Sequence, residues 1–434
     1  MKFSASTATA VIMASMIGTG VFTSLGFQLA DIRSEFVLLM LWVVGGLTAL
    51  CGALTYAELG AALPRSGGEY NFLGRIYHPS VGFVSGWISA TIGFAAPTAL
   101  AAITFGTYLA SVFPGLSPVW LACGLVVLLT VAHAASRRSS GGVQRAFTAV
   151  KILLILGFCL LAALLVEEPQ AISLLPHPGD GALLTSGAFA VALIYVNYAY
   201  TGWNAATYLT GELDRPEQTL SRVLLQGTVV VMLLYVLLNA TFLYVAPAEA
   251  MVGRLEIGYV AAEHAFGSNG AAIMAIILAV LLISTASAMI MAGPRVLQVI
   301  GQDYPAFRLL ARENDDGVPV IAVVVQSALA LAFILTASFE AILVFAGFTL
   351  GVSTFFTVLG IFVLRIRQPD LPRPYRTLWY PLPPLVYLAI TGWTLGYIIA
   401  HRPREGMWGL AIIVGGALLY LLIRLARPTG EEAS

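Results

Sequence analysis

Two apolar stretches of this chain carry glycine near their middles: Ser15-Met16-Ile17-Gly18-Thr19-Gly20-Val21-Phe22 and Asn197-Tyr198-Ala199-Tyr200-Thr201-Gly202-Trp203-Asn204. Glycine in a helix interior costs roughly 1 kcal/mol against alanine, so these stretches predict local unwinding. Unwinding exposes usable chemistry. A half-helix that restarts presents free N–H groups and the positive end of its dipole, and one that stops presents free carbonyls. The amides of Thr19, Gly20 and Val21 therefore suit a carboxylate. Carbonyls near Met16, Ile17, Tyr198 and Thr201 suit an ammonium. A zwitterion satisfies both ends, and an α-amino acid is the most economical one. Met16, Ile17, Gly18, Thr19, Gly20, Tyr198, Ala199, Thr201, Gly202 and Asn204 form the candidate binding set. The competing use of such glycines is close helix packing.

Side chains must then select the ligand. No Asp or Glu falls in the middle of an apolar stretch; Glu58 and Glu340 lie near ends. A dibasic ligand would find no buried carboxylate, which favours a neutral, apolar or small amino acid. Tyr198, Tyr200 and Trp203 could still hold a cation against an aromatic face. Lys151, one of two lysines, lies inside a further apolar stretch. Charged residues at such depth usually face the interior and mark function. Its ammonium is read as a built-in cation bracing that stretch against the first break and the hydroxyls of Ser284, Thr285 and Ser287, and as a candidate carrier of a coupling proton. The alternative is a lysine that snorkels to the interface. His133, His177 and His264 are scattered, and Cys51, Cys123 and Cys159 fall within apolar stretches with no zinc spacing. No metal, cofactor or nucleophile–base constellation is expected, and neither H-E-x-x-H nor G-x-S-x-G occurs. An enzyme is not the reading.

The elements that position these residues must be membrane helices. Apolar residues are 59% of 434 and charged ones 10%, against about 25% charged in soluble domains. Stretches near the roughly 20 residues needed to cross a bilayer predict twelve spans: about 7–27, 36–61, 81–111, 118–135, 143–166, 186–208, 222–245, 269–293, 319–336, 339–364, 383–400 and 407–425. The chain is read as one transmembrane domain, 1–434. With the N-terminus inside, seventeen of the 22 basic residues fall on the inner side and four on the outer, Lys151 being the other. The positive-inside rule places both termini in the cytoplasm. Lys2 is the only basic residue ahead of the first span and no small-residue cleavage site follows, so that span is not read as a cleaved leader. Basic runs never exceed two residues, which gives nucleic-acid binding no support. An ion channel would need charged rings or filter carbonyls, and neither is evident. The two breaks lie five spans apart and so run in opposite directions. That parity suits inverted repeats, about 7–166 and 186–364, with helices at about 383–425 appended. The outer loop 167–185, with Glu167, Glu168 and Asp180, reads as a solvated connector.

These residues resemble a known family. Ile17-Gly18-Thr19-Gly20-Val21-Phe22 is similar to the G-[ST]-G-[IV]-F signature of the amino acid–polyamine–organocation (APC) superfamily transporters. Tyr56-Ala57-Glu58-Leu59-Gly60 with Pro64-Arg65-Ser66-Gly67-Gly68-Glu69-Tyr70 resembles the end of their second span and first inner loop. Tyr198 to Asn204 with Glu212, and Val143-Gln144 through Lys151, resemble the sixth and fifth spans of the L-type amino acid transporter branch. The resemblance, over about residues 7–366, implies an all-α membrane protein of twelve transmembrane helices, a LeuT-type 5+5 inverted repeat with discontinuous helices 1 and 6 plus two extra helices. It implies alternating access, with the substrate carboxylate on the amides of Thr19 and Gly20 and the ammonium on carbonyls of Met16, Tyr198 and Thr201. Tyr198 would form part of an outer gate, and Asn204 would brace the unwound segment or reach the substrate. Lys151 would stand where sodium-coupled relatives hold sodium between spans 1 and 8. The expected function is sodium-independent transport of neutral L-amino acids, by exchange or proton symport, in a bacterial inner membrane. A cationic amino acid or polyamine is the alternative cargo. Partners are then the small-molecule substrate and the lipid bilayer, with no disulfide-linked subunit. Three departures stand out: Thr201 replaces a common glycine and narrows the site, Pro294 precedes Arg295 where serine is usual, and Ser221-Arg222 lacks a proline.

Overall fold

The computed structural model describes residues 5–65, 67–135, 141–213 and 216–425. Lys2, Ser66, Arg137, Arg138, Asp214, Arg215 and Arg427 lie outside the described residues, as do the side chains of Val143, Gln144, Arg145, Glu212 and Pro216. The regular elements are helical throughout. In chain order they are α1 (Ala5–Met16), α2 (Gly20–Asp31), α3 (Glu35–Ala62), α4 (Glu69–Ile76), α5 (Pro79–Ile88), α6 (Ala95–Val112), α7 (Pro118–Ala135), α8 (Gly141–Leu165) and α9 (Asp180–Leu184). They continue as α10 (Gly187–Tyr200), α11 (Pro216–Val245), α12 (Ala248–Met251), α13 (Ile257–Asp303), α14 (Val320–Thr336), α15 (Phe339–Arg367), α16 (Leu382–His401) and α17 (Pro403–Leu425). A π-helical turn at Ser89–Gly93 joins α5 to α6, and 3₁₀ turns follow α10 (Ala205–Glu212) and α13 (Pro305–Ala311).

Ten helical stretches among the described residues are long and apolar enough to cross a membrane, taking α1–α2 and α5–α6 each as one; α10 and α14 are shorter apolar helices. Local signals explain where several begin. Ser34, Ser186 and Ser338 cap α3, α10 and α15 by accepting from the amides of Val37, Phe189 and Ala341 at 3.2–3.3 Å, the usual N-cap geometry. Inside the spans, hydroxyls such as Thr48, Thr55, Thr104 and Thr228 donate to the carbonyl four residues back. That bond lets threonine sit in an apolar helix without an unpaired donor. Exposed leucines and valines on α7, α8 and α17, including Leu128, Leu153, Leu160, Leu418 and Leu422, form outward apolar faces. The buried interior gathers α1, α3, α10 and α11 around Trp42, Tyr56, Tyr200 and Tyr235, while α6 packs along α13.

Several predicted boundaries shift. The span expected at 186–208 is α-helical only to Tyr200, because residues 201–204 turn and the chain continues as a 3₁₀ helix. The span expected at 269–293 belongs to a 47-residue helix, broken at Gly267 (φ 71°) and running on through Pro294 to Asp303. Pro294 therefore does not end it. The outer loop 167–185 is not wholly solvated: Asp180 is buried and accepts the His177 amide at 2.7 Å, starting α9.

Two polar braces tie the ends of the bundle. At one end Glu58 of α3 accepts Nε and Nη2 of Arg365 at 2.9 and 2.7 Å and the Thr377 amide at 2.7 Å. Arg373 lies 3.6 Å from the same carboxylate. At the other, Glu340 of α15 accepts from Tyr195 of α10 at 2.6 Å and from Arg402 at 2.7 Å.

Candidate functional site

The first span breaks between Met16 and Gly20, and α10 stops at Tyr200 before the turn 201–204. The two breaks touch. A Cβ on Gly20 would lie 2.6 Å from Cα of Ala199, so the start of α2 abuts the end of α10. Gly202 has φ 109°, and a Cβ there would lie 2.8 Å from the Ser15 carbonyl. Each break thus contains one glycine that the other break requires. Gly18 is different: its nearest side-chain neighbour, Cγ2 of Thr285, would be 3.7 Å away.

One hydroxyl joins the two breaks. Tyr235 of α11 donates to the Met16 carbonyl at 2.5 Å and the Ala199 carbonyl at 3.1 Å. The sequence reading passed over Tyr235 because a tyrosine in an apolar helix carries no positional signal. The Ile17 carbonyl accepts Nζ of Lys151 at 2.8 Å, and the Tyr198 carbonyl accepts the Thr201 amide at 2.9 Å. Each carbonyl keeps a second lone pair. Ile17 is fully buried.

Lys151 is 5% exposed and does not snorkel; its other acceptor is Oγ1 of Thr285 at 2.9 Å. The three hydroxyls expected around it do not all meet it. Ser287 pairs with Nε2 of His133 at 2.8 Å, and Ser284 is not a partner of the ammonium. At about 100° per residue, Ser284 and Ser287 turn away from the face that Thr285 presents.

A cavity of about 160 Å³ lies between the breaks, lined by Met16, Gly18, Thr19, Gly20, Tyr198, Ala199, Thr201, Gly202 and Asn204 together with Ser15, Thr285 and Ser353. Ile17 and Lys151 are not on its wall. A smaller cavity of about 60 Å³ adjoins it, and Tyr198, Thr201 and Asn204 line both. Of the three aromatics near the second break, Tyr198 faces the main cavity. Tyr200 donates to the Trp42 carbonyl at 2.9 Å, and Trp203 packs edge-on against Tyr56 at 4.7 Å, so both belong to the core.

The largest departure from the sequence reading is Glu69. It lines the main cavity, is 3% exposed, and accepts from Tyr56 at 2.9 Å, from Asn204 at 2.5 Å and from Tyr208. A buried carboxylate is therefore present after all. It was missed because Glu69 lies between spans, where charge is ordinarily solvated. Gly68 (φ 52°) explains the inward turn: a Cβ there would lie 2.8 Å from the Tyr208 ring. Asn204 thus spends its amide on Glu69, bracing the unwound segment against α4. Among the described residues no cluster of three or more His, Cys, Asp or Glu could hold a metal.

A bundle of long apolar helices, two of them interrupted beside an internal cavity, is the architecture of a multi-pass membrane protein. The family model described as amino acid permease matches residues 3–418, and the chain belongs to that family. It is 25% identical to the b(0,+)-type amino acid transporter 1 of Mus musculus, an alignment covering 97% of this chain and 89% of the relative. It is 28% identical to the human large neutral amino acids transporter small subunit 2, covering 95% and 78%. It is 27% identical to the serine/threonine exchanger SteT of Bacillus subtilis, covering 93% and 92%. The chain is accordingly a membrane transporter, not an enzyme.

Proposed function

We propose that this chain is a sodium-independent secondary transporter of neutral L-amino acids in the inner membrane, working by alternating access as an exchanger or proton-coupled symporter. The observation that carries this reading is the cavity bounded by both breaks, with the start of a half-helix on one side and carbonyls on the other. The substrate carboxylate would meet the amides of Thr19 and Gly20, and its ammonium the free lone pairs of the Met16, Tyr198 and Thr201 carbonyls. Lys151, fixed between Ile17 and Thr285, would supply the positive charge that a sodium ion would otherwise bring. The architecture that fits is twelve spans in two inverted repeats with both termini inside. Cys51, Cys123 and Cys159 are free and lie within helices, which suits a transporter without a disulfide-linked subunit.

Glu69 favours a second reading. Its carboxylate meets three neutral donors and forms no ion pair among the described residues. An acceptor-only carboxylate next to a cavity would attract a basic side chain, so cationic amino acids are the alternative cargo. Counterflow uptake into proteoliposomes, with a panel of labelled amino acids, separates the two. The leading reading expects serine, alanine or leucine to drive counterflow unchanged when sodium is replaced by choline, with arginine inactive. Arginine counterflow lost in Glu69→Gln would establish the second reading. Uptake that requires sodium would overturn the role given to Lys151.

A further inference from the structure

A further, larger cavity of about 580 Å³ lies on the outside of the bundle between α5, α15 and α17. Its walls are apolar: Val84 and Ile88 on α5, Val352 and Phe356 on α15, Ala417 and Leu421 on α17. Phe356 is 46% and Leu421 52% exposed, so the groove opens outward to where lipid must lie. Its α17 wall runs from Ile413 to Arg424, about 16 Å at the helical rise. That is close to half of a roughly 30 Å hydrocarbon core, the depth of one leaflet.

The two ends of the groove differ. At the end marked by the C-terminus of α17 sits Arg424, exposed and without an acidic partner among the described residues. His78 and Ser80 from the start of α5 also line the groove. The floor is formed by Ser85 and Ser353, whose hydroxyls lie 3.1 Å apart. Ser353 also lines the central cavity. A single wall therefore divides the groove from the proposed substrate site.

We propose that the groove binds one acyl chain of an anionic phospholipid whose phosphate pairs with Arg424. A filled groove backs the Ser85–Ser353 wall, so the lipid supports the shape of the central cavity. The leaflet is the cytoplasmic one if the termini are inside as proposed; the site itself rests only on the membrane character of the chain. A zwitterionic lipid such as phosphatidylcholine would gain the apolar contact and also present a phosphate, but its own ammonium offsets the attraction to Arg424, so the preference is for net negative charge.

Native mass spectrometry of the purified full-length protein, titrated with phosphatidylglycerol or phosphatidylcholine, tests this without any transport measurement. The expected result is one tightly retained phosphatidylglycerol, favoured over phosphatidylcholine by about fivefold, the factor one basic residue near an anionic lipid surface provides. Arg424→Gln should remove that preference and Arg424→Lys restore it. Ala417→Trp should fill the groove and displace both lipids, with Val84→Phe as a second filling variant should the first not fold. Uptake in phosphatidylcholine vesicles should rise when phosphatidylglycerol is added to the wild type and stay flat in Arg424→Gln. Equal retention of both lipids by the wild type would overturn the proposal, as would unchanged phosphatidylglycerol retention in Arg424→Gln and the filling variants. Loss of amino acid uptake in every lipid would count against the transport reading and leave the lipid result standing.

Discussion

Gly20 and Lys151 each make a contact that a single substitution can test. A Cβ at Gly20 would meet Ala199 at 2.6 Å, whereas one at Gly18 would find ordinary contact at 3.7 Å. Gly20→Ala must push the two breaks apart, so amino acid affinity should fall at least tenfold, about 1.4 kcal/mol. Gly18→Ala should bind nearly as the wild type does; substrate-dependent thermal shift reads both. Lys151 holds the Ile17 carbonyl and Thr285. Lys151→Met should reduce uptake more than tenfold with or without sodium, because a buried carbonyl left unpaired costs about 1–3 kcal/mol. Uptake by that variant at the wild-type rate would sink the assignment. The glycines and Lys151 were legible in the sequence because each violates a local rule for apolar helices. Glu69 was not, since its burial depends on Gly68 turning the chain and on Tyr56, Asn204 and Tyr208 arriving from elsewhere.

At the scale of elements, the two broken helices act as a unit because α11 fastens them. Tyr235 links the terminal carbonyls of α1 and α10 through one hydroxyl, so a movement of one half-helix is felt by the other. Tyr235→Phe keeps the ring contacts with Trp42 and Tyr200 and removes only the bridge. The expected result is a thermal destabilisation of about 1–3 kcal/mol with a raised KM for uptake. A fall in stability without any change in KM would confine Tyr235 to a structural role. The interruption of the sixth span was foreseen, but its course was not. A 3₁₀ continuation over Ala205–Glu212 carries Tyr208 to the Glu69 carboxylate, and no local pattern of residues announces it. Likewise the span expected to stop at residue 293 runs on through Pro294 in the long α13.

For the whole molecule, the braces Glu58–Arg365 and Glu340–Arg402 close opposite ends of the bundle and share α15. Helices that slide to open one end must strain or release the brace there. Glu58 is 1% exposed, Arg365 26% and Arg373 8%, so Glu58→Gln leaves two guanidinium groups, one partly buried and one buried, without their anion. Breaking a fully buried pair costs about 3–5 kcal/mol, and the partial exposure of Arg365 places this one toward the lower end. The measurable consequence is a lower melting temperature together with an altered transport rate, and an unchanged rate would mean that transport does not require this brace to open. The positive-inside bias makes a separate prediction: a green fluorescent protein fused after Ser434 should fluoresce, since it matures in the cytoplasm, and a dark fusion with normal expression would reverse the orientation.

Composition by itself determined that this chain is a bundle of apolar helices, and Gly18, Gly20 and Gly202 marked where two of them fail. Those are local facts, governed by transfer free energy and backbone propensity within one turn of helix. The tertiary structure alone decided that the two failures abut through Gly20 and Gly202, that Tyr235 bridges them, and that a carboxylate from a connecting segment reaches the cavity. Such contacts join residues far apart in the chain, and their energies exist only once the helices have packed.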